Sequence, residues 1–264
     1  MDEKRHSDAS SNPSTTMLVP RTLSRRRFLS AVGLTCLFVL IFSSFCGYPS
    51  SLLGHQKPHK EDHEPSSPQS TSNKTTRIPL EAHLMSKCPD ARSCLRELVV
   101  PAMEKIADKV DFKLSYIGSI DANSDSVSCM HGPTECLGNM LSLCAQTLYA
   151  NYTKISLGFT TCMVSSYHDI PKRDLVESCA LEHGVDFDKL NGCVSDEGTG
   201  MDLLRDSIER SKEAGVVYSC TVRLDGKVRC IRDGGEWKDC EGGSSVGDLV
   251  RDVEEAYAKR AGNN

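Results

Sequence analysis

Leu80-Glu-Ala-His-Leu84, Cys88-Pro-Asp-Ala91 and Val110-Asp-Phe-Lys-Leu-Ser-Tyr116 follow one another in a single short segment. In the first, apolar Leu80, Ala82 and Leu84 alternate with Glu81 and His83, which predicts a strand opening near Ile78 and ending at Ser86-Lys87. After Cys88, the residues Leu95, Leu98, Val99, Ala102, Met103 and Ile106 recur at helical spacing, with Asp90 and Ser93 as candidate caps. Pro101 is expected to bend that helix, because it brings no N–H to the ladder. Val110, Phe112, Leu114 and Tyr116 then alternate with Asp111, Lys113 and Ser115. Two strands joined through a helix make a βαβ unit, and parallel pairing is its natural outcome.

Downstream, from Asp121 to about Arg210, the pattern is helical and studded with cysteines, without strand alternation. Leu137, Leu141, Cys144 and Leu148 form one stripe, and Leu175, Cys179 and His183 another. Strands return with Val216-Val-Tyr218, Thr221-Val-Arg-Leu224 and Lys227-Val-Arg229, the last two separated by the hairpin pair Asp225-Gly226. A two-residue turn there sets Leu224 against Lys227 and Val222 against Arg229, sending Cys220 and Cys230 to opposite faces. Cys230 with Cys240, around Gly234-Gly235, is then the simpler bridge. Val246 to Ala261 reads as a closing helix, so the fold class is α/β, in the order βαβ, helical insertion (about 121–210), ββα.

Upstream of this domain, Phe28 to Tyr48 is an apolar run of bilayer-spanning length with Arg25, Arg26 and Arg27 on its N-terminal side. The positive-inside bias leaves residues 1–24 as a disordered cytosolic tail, 25–48 as a signal anchor, 49–77 as a disordered stalk and 78–264 as the luminal domain. The long polar tail ahead of the run favours an anchor over a cleaved signal peptide. His55, His59 and His63 lie among Pro58, Pro65 and Pro68, which argues for a solvated spacer and against a helical metal site. Of thirteen cysteines, Cys36 and Cys46 fall inside the apolar run, and the remaining eleven imply a disulfide framework in an oxidising lumen. Asn73-Lys-Thr75 and Asn151-Tyr-Thr153 are glycosylation acceptors on that side. The net charge of −5, with no basic stripe, points away from nucleic acid.

The remaining motif is Cys129-Met-His-Gly-Pro-Thr-Glu-Cys136, followed by Asn139 and Cys144. Its spacing, with His131, Gly132 and Glu135, after a Cys-Pro-Asp segment resembles the signature of the gamma-interferon-inducible lysosomal thiol reductase family. The resemblance covers most of residues 78–227 and implies a thioredoxin-like fold with a cysteine-rich helical cap, no cofactor, and exchange of disulfides in protein substrates. It also implies a Cys-Pro-Asp-Cys pair, whereas this chain has Ala91 at the second cysteine. The resemblance makes Cys88 the expected nucleophile, where the residues alone would read it as half of an ordinary disulfide; backbone N–H groups and the helix dipole at a strand-to-helix junction agree with that role by favouring a thiolate. Pro89 suits the first helical turn, and Asp90 opposes the thiolate by charge while serving the helix start.

By the same resemblance, Cys129, Cys136, Cys144, Cys162, Cys179 and Cys193 are structural cysteines of the insertion, an even set that allows fifteen pairings. Two resolving partners for Cys88 remain. Cys94 serves if the helix begins late, near Ser93, since six residues of continuous helix span about 9 Å, beyond a disulfide's reach. Cys220 serves if it stands where thioredoxin-like proteins carry a cis-proline facing the active cysteine. A zinc site through Cys129, His131, Glu135 and Cys136 lacks its second half, so no metal is expected. Trp237 and Tyr218 read as packing residues. The expected function is a membrane-anchored thiol–disulfide oxidoreductase of the secretory, endolysosomal or vacuolar system, recharged by a small-thiol or protein reductant. The alternative is a catalytically silent binding module that lost turnover with Ala91.

Overall fold

The computed structural model describes residues 77–196 and 198–262. The tail, the apolar run 28–48, the stalk histidines and Asn73 lie outside the described residues. Among the described residues no helix is long and apolar enough to cross a membrane.

The βαβ unit forms as the periodicity predicts. Strand β1 (Ile78–Leu84) pairs in parallel with β2 (Val110–Tyr116), from Ile78 opposite Val110 to Leu84 opposite Tyr116. The connection comprises α1 (Pro89–Cys94), a π-helical turn (Leu95–Val99) and α2 (Val100–Ile106). The wide turn lies just ahead of Pro101, with the Val100 N–H reaching back to the Leu95 carbonyl. One extra residue in that turn lets the helix continue past a residue with no N–H to give. The helix thus widens locally just ahead of Pro101, the position at which a bend was expected.

The insertion opens with a short hairpin, β3 (Ser119–Ile120) against β4 (Val127–Ser128), where only helix was expected. Helices α3 (Pro133–Leu148), α4 (Thr153–Ser165), α5 (Arg173–His183), α6 (Phe187–Ser195) and α7 (Thr199–Glu213) follow. They seal the open edge of the sheet. The Gln146 side chain of α3 accepts from the Leu114 N–H at 2.7 Å, and Ser207 of α7 accepts from the Tyr116 N–H at 2.7 Å. An edge strand with unpaired donors invites foreign pairing, and the cap removes that exposure at Leu114 and Tyr116 of β2.

Strand β5 (Thr221–Leu224) runs antiparallel beside β1, then β6 (Lys227–Asp233) and β7 (Glu236–Lys238) complete the sheet in the order β2-β1-β5-β6-β7. Helix α8 (Val246–Gly262) packs on α2 and β1. This is the mixed α/β topology expected of a thioredoxin-like domain. Val216 to Tyr218 is not part of a strand.

The hairpin register departs from the expected one at a single point. Leu224 does face Lys227 across Asp225 and Gly226, both with positive φ as a type I′ turn requires. A bulge between Val222 and Arg223 then sets Val222 against Cys230 in place of Arg229. Cys220 consequently pairs with Arg232, through backbone bonds of 3.0 and 2.8 Å, and Cys220 and Cys230 share one face. An extra residue in one strand reverses the inside–outside alternation beyond it, which periodicity alone does not reveal.

On β1, Glu81 is held by Arg223 of β5 and lies 3.6 Å from the buried His83 ring. The neighbouring His83 ring is the main cause holding the Glu81 carboxyl below its ordinary value, against the opposing effect of burial, with Arg223 adding to the depression. A depressed carboxyl contributes stability that is complete above its ordinary value of 4.5 and is lost as pH falls through the lower folded value. In Glu81→Gln the melting temperature should therefore fall less steeply below that pH than in the parent chain. Parallel acid slopes for the two proteins in thermal melts would refute this role for Glu81.

Candidate active site

Cys88 occupies the N-cap position of α1, in extended backbone conformation (φ −89°, ψ 131°), with Pro89 in the first turn. Its N–H donates to the Met85 carbonyl at 3.0 Å, closing a tight turn at the end of β1. The thiol is half-buried, packs against Met85, Ile117 and Val216, and donates to the Ser219 carbonyl at 3.6 Å. Ser219 also takes the Met85 N–H on its hydroxyl at 2.8 Å, so the segment before β5 and the loop before α1 grip each other beside the sulfur. Among the described residues Cys88 is the one free cysteine.

The helix begins at Pro89, and the late start near Ser93 is not observed. Neither Asp90 nor Ser93 caps it, since no side-chain cap bond exists. The Asp90 carboxylate instead accepts the N–H groups of Gly234 and Gly235, each at 2.9 Å, tying α1 to the β6–β7 turn. With the helix continuous from Pro89, Cys94 lies about 9 Å along the axis from Cys88, too far for a bridge. Cys94 is bonded to Cys220, with Cα atoms 6.2 Å apart and both residues fully buried. The two candidate partners of Cys88 therefore hold each other, and neither presents a thiol to it. Cys220 does follow a cis peptide, Ser219–Cys220, at the position the resemblance assigned to a cis-proline.

The signature residues form a brace around the loop that carries Cys88. Gly132 adopts φ 83° and ψ −171°, a conformation essentially closed to residues with a Cβ, and starts α3. From the first turn of that helix the fully buried Glu135 carboxylate accepts the Lys87 N–H at 3.2 Å, the His131 N–H at 3.2 Å and the His131 ring at 2.5 Å. One turn on, Asn139 accepts the Ser86 N–H at 3.1 Å, while its amide donates to the Cys129 sulfur at 3.7 Å. Cys129 is bonded to Cys136, which fixes the loop ahead of α3 to the helix itself. Buried polar groups are stable when each finds a partner, and here the partners are the two backbone N–H groups just before Cys88.

Sequence reasoning overlooked several contributors to this brace. The Ser86 hydroxyl donates to the Glu135 carbonyl at 3.2 Å, and the Lys87 ammonium donates to the Ile170 carbonyl at 3.0 Å. Gly138 makes the contact possible, because a Cβ there would lie 2.4 Å from an Ile170 methyl and 2.8 Å from the Ser86 hydroxyl oxygen. It sits at an unspecified position of the signature, and only its place between Glu135 and Asn139 hinted at its role. Gly138→Val should lower stability by about 1–3 kcal/mol through overpacking. An unchanged denaturation midpoint would show that the loop yields without cost.

Beside the thiol runs a cleft of about 540 Å³, with Met85, Ile117, Cys129, Met130, Val216 and Val217 in its lining. Met130 is 75% exposed and Val217 65%, and neighbouring Tyr218 is 51% exposed, so Tyr218 is not the packing residue expected. Trp237 is partly buried, with the Arg232 guanidinium 5.1 Å from its ring centre. Cys144 is bonded to Cys193, Cys162 to Cys179 and Cys230 to Cys240. Away from the site, Cys162, Glu182 and His183 bring potential ligand atoms within 4.8 Å, but the Cys162 sulfur is committed to its bridge.

Residues 79–183 match the family model of the gamma interferon inducible lysosomal thiol reductases, the resemblance already carried by Cys129 to Cys144. The "GILT-like protein 1" of Drosophila melanogaster is 27% identical over 145 residues, a match covering 49% of this chain. The chain spans 58% of the length of that relative. Among solved structures, alpha-DsbA1 of Wolbachia pipientis aligns with 71% of this chain and 89% of its own, at 14% identity and a TM-score of 0.44. BdbD of Bacillus subtilis covers 70% and 90%, at 12% identity and a TM-score of 0.45. A putative protein disulfide isomerase from Nitrosomonas europaea covers 70% and 98%, at 7% identity and a TM-score of 0.48.

Proposed function

We propose that this chain, with its thiol reductase family domain at residues 79–183, is a thiol–disulfide oxidoreductase that acts on protein disulfides through a mixed disulfide at Cys88. One observation carries the reading: Cys88, the free cysteine among the described residues, stands half-open at the start of a helix, braced by the family's own signature residues. The Cys88 thiolate attacks one sulfur of the substrate disulfide; a Cys88–substrate S–S bond forms, the substrate S–S bond breaks, and the second substrate sulfur leaves as a thiolate. The substrate chain lies along the apolar cleft, with Val217 and Met130 against its side chains. Incubation with an oxidised protein, acid quenching and disulfide mapping by mass spectrometry should recover substrate linked to Cys88. Linkage through any other cysteine, or none at all, would overturn the assignment.

Phe28 to Tyr48, preceded by Arg25, Arg26 and Arg27, supports a membrane anchor that places the domain in the lumen of the secretory or endolysosomal system. Asn151 is exposed and available to glycosylation enzymes there. Release of the full chain by alkaline carbonate would contradict the anchor. The silent binding module has one observation in its favour, the absence of a second free thiol near Cys88 among the described residues. It predicts a Cys88–substrate species that accumulates and never turns over.

A further inference from the structure

We infer that the chain works with a single thiol, as a disulfide-shuffling (isomerase-type) catalyst whose mixed disulfide is resolved by a thiol of the substrate itself; this rests on the reading of Cys88 as the nucleophile. A dithiol reductase stores the two electrons of a turnover in a pair of its own cysteines. No such pair is available to Cys88 among the described residues. The position three residues on is Ala91, fully buried in the core. Cys94 and Cys220 are bonded to each other and fully buried, and every other cysteine of the described residues is also bridged. The adjoining wall of exposed Val217, Tyr218 and Met130 suits polypeptide with its apolar side chains still outside a core. The substrate class is therefore an incompletely folded or misbridged protein.

The exchange then balances without a reductant. In the first step the Cys88 thiolate takes one sulfur of a substrate disulfide and releases the other as a substrate thiolate. The released thiolate attacks a second disulfide of the same substrate, forming one new substrate disulfide and displacing a different substrate thiolate, which then attacks the substrate sulfur of the mixed disulfide. A new substrate disulfide forms, the Cys88–substrate bond breaks, and Cys88 leaves as a thiolate. Two substrate disulfides enter and two re-paired ones emerge, with the Cys88 thiolate regenerated, so nothing is oxidised or reduced overall.

The test uses the full chain in detergent, with Cys88 free, and fully oxidised, scrambled ribonuclease A without added thiol and without oxygen. Ribonuclease activity should return for many substrate molecules per molecule of this chain while the total thiol content stays constant. Cys88→Ser should give no return, and the Cys94→Ala/Cys220→Ala variant, if it folds, should perform like the parent. Should that variant fail to fold, disulfide mapping of the parent after reaction decides: Cys88 should be found free or joined to substrate. A Cys88 bridge to another cysteine of the chain, appearing in step with substrate reduction, would overturn the single-thiol mechanism and leave Cys88 as nucleophile. Mixed disulfide formation without regained ribonuclease activity would do the same. Equal unscrambling by Cys88→Ser would instead bring down the underlying reading.

Discussion

Cys88→Ser should lower the rate of disulfide exchange with an oxidised protein by about a thousandfold or more, the order of loss expected when a covalent nucleophile is removed. A serine hydroxyl forms no mixed disulfide, and no other free thiol exists among the described residues to replace it. The substitution should leave the fold intact, because Cys88 closes no bridge and its sulfur makes one long hydrogen bond, to the Ser219 carbonyl at 3.6 Å. The measurement is insulin or ribonuclease exchange, with circular dichroism and the five-bridge map as controls. Parent-like turnover by a folded variant would move the chemistry to another residue.

Glu135→Ala should have the second largest effect, and it separates positioning from chemistry. Its carboxylate, itself fully buried, is the acceptor for the Lys87 and His131 N–H groups and the His131 ring, which are partly open to solvent. Removing it leaves these partly exposed donors without their acceptor, a loss of about 1–3 kcal/mol in total. The loop before Cys88 also loses its nearest anchor, and displacement of a reacting group by about 1 Å can cost a hundredfold in rate. A smaller loss is expected for Glu135→Gln, which keeps an acceptor oxygen but turns a donor toward other donors. The discriminating readout is the alkylation rate of Cys88 by iodoacetamide across pH, measured alongside the unfolding midpoint. Glu135→Ala destabilised but with an unchanged alkylation profile would make the signature a support of the cap alone.

The brace explains why the signature lies so far along the chain from the reactive cysteine. Gly132 admits the turn, Glu135 and Asn139 point back at Lys87 and Ser86, and the Cys129–Cys136 bridge holds the turn to its helix. Zinc chemistry was the other reading those residue types invited. Both sulfurs are bonded to each other and His131 is paired with Glu135, so their present partners are fully accounted for by the brace.

The sequence by itself determined the central elements, though not the β3–β4 hairpin. Alternation at Leu80 to Leu84 and Val110 to Tyr116, helical spacing from Leu95 to Ile106 and the Asp225-Gly226 turn are local properties of neighbouring residues, and the observed β1, β2, helical and hairpin segments follow them. The family resemblance carried by the spacing from Cys129 to Cys144 singled out Cys88. Only the tertiary structure decided what those residues touch. The start of α1 at Pro89 separates Cys88 from Cys94, and the bulge at Val222 turns Cys220 and Cys230 to one face. The approach of β5 to α1 joins Cys94 to Cys220 across 126 residues, and Asp90 spends its charge on Gly234 and Gly235. Periodicity reports which face a side chain takes within its own element; a bond between sulfurs or a buried carboxylate's choice of donor depends on distances of a few ångströms between elements, which exist only once the sheet, its bulge and its cap have packed together.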